Sequence, residues 1–316
     1  MNCNLPKITY PMLRTLLRFK LYEAISPQID SSVKKVFKAT CQNDFDSSKI
    51  ELLFKSISLK QLSNDTFAIF YQSAIALKLS SVLRRNALEL SYQILDEFQQ
   101  KDVNFCQESS AIAQYILSDL TSRVVPPGLL QFELGDRGLS AWLQYLVDSL
   151  CSNSGESIPL EKPLTQTENS DQLFICQHSH ARCCSLLRLA HESVITFSCL
   201  RGNDRWIISA PAPIPWLTTQ GRLCLTHPAE RALIFQLVAI VDDFSNLVMI
   251  PRSCLSAALA LSRSFQSFHQ ACQIFELGSP SALQRSQTRL GLVLATQRLL
   301  RHLLEAGLGT KAPFEL

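Results

Sequence analysis

Nine residues, Cys176-Gln177-His178-Ser179-His180-Ala181-Arg182-Cys183-Cys184, hold five side chains able to ligate a metal. On a helix, positions four apart share a face. Cys176, His180 and Cys184 therefore align, with Cys183 beside them. Three chemistries fit these residue types. The first is a packed helix face, buried or turned toward RNA, since Leu187 continues the same stripe. The second is zinc, although a structural zinc site needs four ligands, usually two pairs from separate loops, and no second Cys/His pair of suitable spacing occurs. The third is a Cys–His nucleophile, for which no Gly-rich elbow or oxyanion feature accompanies the cluster. The packed face is the preferred reading, and no metal ligand and no catalytic residue is assigned.

The elements around this cluster read as helices. From residue 172 onward, apolar periodicity predicts helices over 172–193, 228–245, 252–275 and 281–306. Pro228 suits a first helical position, and Gly278 and Gly307 suit helix ends. The stretch 194–226 interrupts them, and three prolines within WIISAPAPIPWL rule out a regular helix there. Upstream, residues 66–84 and 86–98 carry apolar groups at helical spacing, with Asn86 as N-cap and Glu89 three positions on. Residues 109–120 form a third helix. A Pro-Pro-Gly turn and alternating Leu130, Phe132 and Leu134 predict a short strand within 124–134, followed by a helix from Leu139. Residues 151–171, rich in Ser, Pro, Glu and Thr, read as a linker. The fold expected is an α+β domain over 1–150, then an all-α helical bundle over 172–316.

Composition sets the outer bounds. The 316 residues are 47% hydrophobic and 18% charged, a globular balance. No run of about 18 apolar residues is present, so no membrane partner is expected. The opening residues show no basic start followed by an apolar core, so no signal peptide is read. Eleven scattered cysteines form no disulfide framework, which points to a reduced, cytoplasmic setting. Net charge is only +3, yet the kind of base changes: ten Lys and six Arg up to residue 150, two Lys and twelve Arg beyond it. Arg presents a planar fork that grips phosphate and stacks on bases. The run 277–304 holds Arg285, Arg289, Arg298 and Arg301 with no acid. Such a run is either a solvated face or a phosphate-binding surface, and the latter is expected here.

Several stretches resemble arginyl-tRNA synthetases. Gln177 through Arg188, QHSHARCCSLLR, resembles Q-Y-A-H-A-R-I-C-S-I-L-R, the opening helix of their anticodon-binding (DALR) domain. Pro228-Ala229-Glu230-Arg231-Ala232-Leu233 resembles P-x-E-R-x-L, and Phe265 through Ile274 resembles F-x-x-F-Y-x-x-C-x-V. Arg289 through Gln297 resembles R-L-x-L-x-x-A-T-R, and Ala312-Pro313 the A-P near the end of that domain. In the first half, Asp65 to Ala68 and the following helices resemble the synthetases' N-terminal domain, and Pro127 to Phe132, PGLLQF, resembles its P-G-F-I-N-F strand.

The resemblance implies a tRNA-binding protein, with arginine tRNA as the first candidate. It also implies one that lacks the synthetase's catalytic domain: between the two halves stand about 20 residues, with no H-x-G-H motif, no K-M-S-K-type loop and no Gly-rich phosphate loop. A non-enzyme without cofactor is expected, either an adaptor presenting tRNA to a tRNA-modifying or translation enzyme or a protein–protein scaffold that no longer binds RNA. No DNA partner is expected. By position, Gln177, His178, Arg182, His269, Arg285, Arg289 and Arg298 would meet the anticodon arm, and Gln131 the tRNA elbow. His178 and His269 stand where the family has Tyr. Leu129 and Gln131 replace an aromatic and an Asn, and Phe314-Glu315-Leu316 replaces E-R-M.

Overall fold

The computed structural model describes residues 12–26, 57–62, 67–100, 110–149, 170–192, 198–202, 205–244, 251–276 and 278–316. The described chain divides into two compact units, one within Leu13–Gly138 and one within Leu139–Leu316. Of the linker expected at 151–171, residues 151–169 fall outside the described residues, and Ser170 and Asp171 already belong to a helix.

The first unit runs α1 (Leu13–Ile25), β1 (Leu59–Leu62), β2 (Phe70–Ser73), α2 (Ile75–Leu83), α3 (Ala87–Gln100), α4 (Ser110–Ser118), β3 (Leu120–Val125) and β4 (Leu129–Leu134). Its four strands form an antiparallel sheet in the order β1-β2-β4-β3. Alternation decides which face is covered. Tyr71, Leu130, Phe132 and Leu134 are buried, and Phe98 of α3 packs its ring 4.9 Å from that of Phe132. As expected, Asn86 caps α3, its side-chain oxygen accepting from the Leu88 N–H at 2.8 Å and the Glu89 N–H at 3.3 Å. The Pro-Pro-Gly turn closes the β3–β4 hairpin. Gly128 sits at φ +142°, and a Cβ there would lie 3.0 Å from the Ala87 carbonyl oxygen, so no other residue fits without a shift.

The single helix expected over 66–84 is corrected. Residues 70–73 are a strand, and the helix starts only at Ile75. The apolar run Phe67-Ala68-Ile69-Phe70-Tyr71 suits either period. The choice is made by β4, some sixty residues downstream, which pairs Phe70 with Glu133 and Gln72 with Gln131.

The second unit contains α5 (Asp136–Ser149, which begins just before it), α6 (Ser170–Glu192), β5 (Ser198–Gly202), β6 (Arg205–Ala210), α7 (Pro228–Asp243), α8 (Pro251–Ala271) and α9 (Pro280–His302), closed by a π-helical turn at Leu303–Gly307. All four helices expected beyond residue 172 are present. The third stops at Ala271 rather than 275. Helix α7 opens on a capping box: His227 accepts from the Ala229 N–H at 3.1 Å, and Glu230 accepts from the His227 N–H at 2.8 Å, with Pro228 in the first turn. Helix α9 is the centre of the bundle, with every residue from Ser286 to Leu300 buried.

The proline-rich interruption has a structural use. Its first part forms the β5–β6 hairpin, which makes this unit helical with one small two-stranded addition rather than purely α. Its second part lays Ile214 and Trp216 onto α9. Gly291 allows that approach, since a Cβ there would meet the Trp216 ring at 2.6 Å and Ile214 at 2.7 Å. Gln144 of α5 fixes the same segment, its side-chain oxygen accepting from the Ile214 N–H at 3.1 Å and the Trp216 indole N–H at 3.0 Å.

Candidate nucleic-acid interface

Helix α6 has two chemically opposed faces. Cys176, Ser179, His180, Cys183, Cys184 and Leu187 point inward and are buried against the bundle. His180 is fully engaged there: Nδ1 lies 2.8 Å from the Pro313 carbonyl oxygen and Nε2 2.8 Å from the Gln297 side-chain amide nitrogen. A carbonyl can only accept and an amide N–H only donate, so the ring is the neutral Nδ1–H tautomer. Burial pulls its pKa down to about 4, the Pro313 contact opposing and the Arg301 charge assisting. Burial likewise raises Cys176, takes Cys183 well above its usual value and lifts Cys184 to about 11. Cys184 sulfur is 3.9 Å from His180 Nδ1, but that nitrogen already holds a proton committed to Pro313. The pair has neither a free base nor a thiolate, so it is not an activated nucleophile. Among the described residues, no three His, Cys, Asp or Glu side chains converge as a metal would require. The inward stripe is packing.

The outward face is different. Phe174 is 56% exposed and His178 is exposed one turn later, their ring centroids 6.1 Å apart. Arg182 follows after another turn, also exposed, its Nη2 3.4 Å from Nε2 of His269 on α8. Burial and the Arg182 charge both lower the His269 pKa, so the neutral ring accepts from the guanidinium. Gln177, half-buried at the edge of this face, donates to the Lys311 carbonyl at 3.0 Å. The fold thus brings together four of the residues expected to meet RNA: Gln177, His178, Arg182 and His269. It adds Phe174, which the sequence reading missed. A single exposed Phe has no sequence signal beyond its spacing of four from His178.

Residues 176–316 match the family of the DALR anticodon binding domain. The C-terminal half of this chain is a DALR anticodon-binding domain. The curated relatives are arginine–tRNA ligases. That of Synechococcus sp. (strain JA-3-3Ab) is 29% identical over 178 residues, 56% of this chain but 27% of the relative. That of Gloeobacter violaceus is 30% identical over 155 residues, covering 48% and 24%, and that of Heliobacterium modesticaldum 26% over 207 residues, covering 65% and 31%. The matched part of the chain spans about a quarter to a third of the length of these relatives. No solved structure matches the chain.

Within the DALR domain, the basic run of α9 does not form the solvent-facing stripe expected of it. Arg289 and Arg298 are each only 8% exposed. Arg289 Nε bonds Glu230 at 2.6 Å, and its Nη1 bonds the Gln273 carbonyl at 2.6 Å and the Glu276 carboxylate. Burial works against the Arg289 charge, but Glu230 and Glu276 outweigh it and its pKa rises. Arg285 gives Nε and Nη2 to Glu276 at 2.9 and 2.7 Å. Despite its own burial, Glu276 is held below the usual carboxylate range by these two Arg. Arg298 donates to the Trp206 carbonyl at 2.6 Å, and its Nη1 is buried without a partner. Arg301 pairs with Glu305 at 2.9 Å. The segment 277–304 carries no acid, but the acids arrive from α7, from the 272–276 connection and from the turn after α9. An acid count along one segment does not see them.

In the first unit, Gln131 lies on the open face of the sheet. The strand register puts Lys60, Gln72, Gln131 and Arg123 in one cross-strand row. Arg123 Nε donates to the Gln131 side-chain oxygen at 2.7 Å. The Gln131 amide N–H groups stay directed away from that bond, and half-buried Leu129 offers no ring.

Proposed function

We propose that this chain is a non-catalytic tRNA-binding protein, built like an arginine–tRNA ligase without its catalytic core. The carrying observation is the outer face of α6, where Phe174, His178, Arg182 and His269 set rings beside a cation on a domain of the anticodon-binding family. Rings stack on unpaired bases and guanidinium groups hold phosphates, the combination that single-stranded loops select. Gln177 supports this face through Lys311. Arg289 and Arg298 serve as positioning residues: Arg289 ties α9 to α7 and to the connection that follows His269. Arg285, already forked onto Glu276, lies at the border of the domain surface.

The first half, taken as an N-terminal domain over residues 1–150, would hold the tRNA elbow through Gln131, with 151–171 as linker and 172–316 as the anticodon-binding part. Arginine tRNA is the first ligand to test, and the bound tRNA would be presented to a tRNA-modifying or translation enzyme in the cytoplasm. Among the described residues no helix is long and apolar enough to cross a membrane, which is compatible with that setting. The competing reading, a protein–protein scaffold that no longer binds RNA, draws on one observation: Arg289 and Arg298 of α9 are consumed inside the domain, and Arg285 and Arg301 are paired with acids. Crosslinking in cells followed by sequencing of the bound RNA separates the two, with tRNA reads piled at the anticodon arm on the first reading and none above background on the second. The purified chain is also expected to form no arginyl-tRNA and to exchange no pyrophosphate with ATP; robust activity in either assay would contradict the non-catalytic reading.

A further inference from the structure

Helix α6 carries a second cation on its outer side. Arg188 lines one shallow groove with His178, Arg182, Ser185, Glu315 and Leu316. Its Nη1 pairs with the Glu315 carboxylate and its Nη2 donates to Ser185 Oγ at 3.2 Å. The two partners differ in exposure: the Arg188 side chain is 31% exposed and that of Glu315 is 76% exposed.

The segment that brings Glu315 here is anchored only up to its neighbour. Lys311 accepts from Gln177, Pro313 accepts from His180, and the Phe314 ring lies 6.1 Å from the His180 ring with the Arg301 guanidinium 5.8 Å above it. Glu315 can therefore leave Arg188 by turning its own side chain, with the anchored backbone unmoved. An ion pair this exposed contributes little to stability, because water solvates both groups when they part. A phosphate offers a guanidinium the same two-oxygen face as a carboxylate and binds it bidentately. Arg182 and Arg188 are six residues apart, about 9 Å along the helix axis, on one groove with His178 between them and the Phe174 ring.

We infer that Arg188 is a phosphate-binding cation of this face and that Glu315 occupies its place as an internal competitor until an RNA phosphate displaces it. This rests on the tRNA-binding reading and deepens it. The exchange moves no proton and makes no covalent bond. The arriving phosphate takes the Arg188 fork, and the Glu315 carboxylate passes to solvent. A carboxylate that must be displaced lowers affinity for any RNA that cannot also engage the rings beside it, so the contact discriminates against indiscriminate polyanion binding.

The test uses the full chain and total tRNA, with fluorescence anisotropy from about 50 to 300 mM salt. Glu315→Gln should tighten binding about three- to tenfold. Arg188→Gln should weaken it and reduce the slope of log K against log salt by about 0.7, the value for one single-strand phosphate contact. In the Arg188→Gln background, Glu315→Gln should change nothing. Two results overturn the inference: a salt slope untouched by Arg188→Gln, or equal tightening by Glu315→Gln in both backgrounds, which would mark a general charge effect. Thermal melts establish that each variant folds. If Arg188→Gln does not fold, Glu315→Gln alone decides, and unchanged affinity overturns the inference. Wild-type chain that binds no tRNA removes the underlying reading as well; wild-type chain that binds while both variants leave it unchanged removes this inference only.

Discussion

Helices α6 and α9 are both 23 residues long and both carry Arg, yet they use it in opposite ways. The middle of helix α9 runs through the bundle, so a guanidinium there has to find its partners inside: Arg289 takes Glu230 and Glu276, and Arg298 the Trp206 carbonyl. Helix α6 is covered on one side only, so Arg182 and Arg188 remain where a ligand can reach them. The position of a helix in the bundle, more than its charge, decides whether a cation serves the fold or a partner.

The sharpest way to break this comparison is to treat an α9 Arg as if it were a surface Arg. Arg289→Ala strands the buried carboxylate of Glu230 and frees the 272–276 connection. Removing one partner of a buried pair costs about 3–5 kcal/mol. Urea titration should record a loss of that size. A loss below about 1 kcal/mol would return Arg289 to the surface class. Arg298→Met should cost less, about 1 kcal/mol, because it leaves the Trp206 carbonyl without its donor but also removes a buried cation with one unpartnered nitrogen.

A second prediction concerns the inward face of α6. The folded-state pKa of His180 lies at about 4, below the ordinary histidine value of 6.5. A His held neutral contributes stability that is complete above pH 6.5 and is lost as pH falls toward 4, because the unfolded chain takes up the proton first. The loss should reach roughly 2–4 kcal/mol at the bottom of that window, with His269 and His302 adding in the same direction since burial lowers both. Urea midpoints at pH 8, 6 and 4.5, alongside an NMR titration of the His180 ring, measure it. A ring that titrates near 6.5 would contradict the buried, doubly bonded placement.

Much of this was legible in the sequence, for identifiable reasons. The starts of α7 and α3 could be read because their signals are local: Pro228 opens the one, and Asn86 with Glu89 lies within one turn of the other. The identity of the C-terminal half could be read because Gln177 to Arg188 keeps the residue types of a known helix. Strand β2 could not, because its period is settled by β4 far along the chain. The burial of Arg289 could not either, since Glu230 lies 59 residues away from it. Phe174 and the pairing of Glu315 with Arg188 escaped notice because exposure and tertiary proximity define them, and neither leaves a local pattern.

The smaller effects belong to the outer face. Arg182→Gln should weaken binding of all tRNAs alike and flatten the salt slope by about 0.7, because a phosphate contact carries no base information. Phe174→Ala and His178→Ala should act on stacked bases, each costing about 1–2 kcal/mol, and should narrow the gap between preferred and other tRNAs. If all three variants lower affinity by the same factor for every RNA, the division between ring contacts and phosphate contacts is wrong.

The most direct measurement of the central claim is the affinity of the folded wild-type chain for tRNA against a generic RNA of equal length, at about 150 mM salt, beside the Phe174→Ala/Arg182→Gln double variant. The account predicts that wild type prefers tRNA at least about tenfold and that the double variant loses most of this preference while melting like wild type. Equal affinity of wild type for tRNA and generic RNA, or a preference that survives in the double variant, would contradict it.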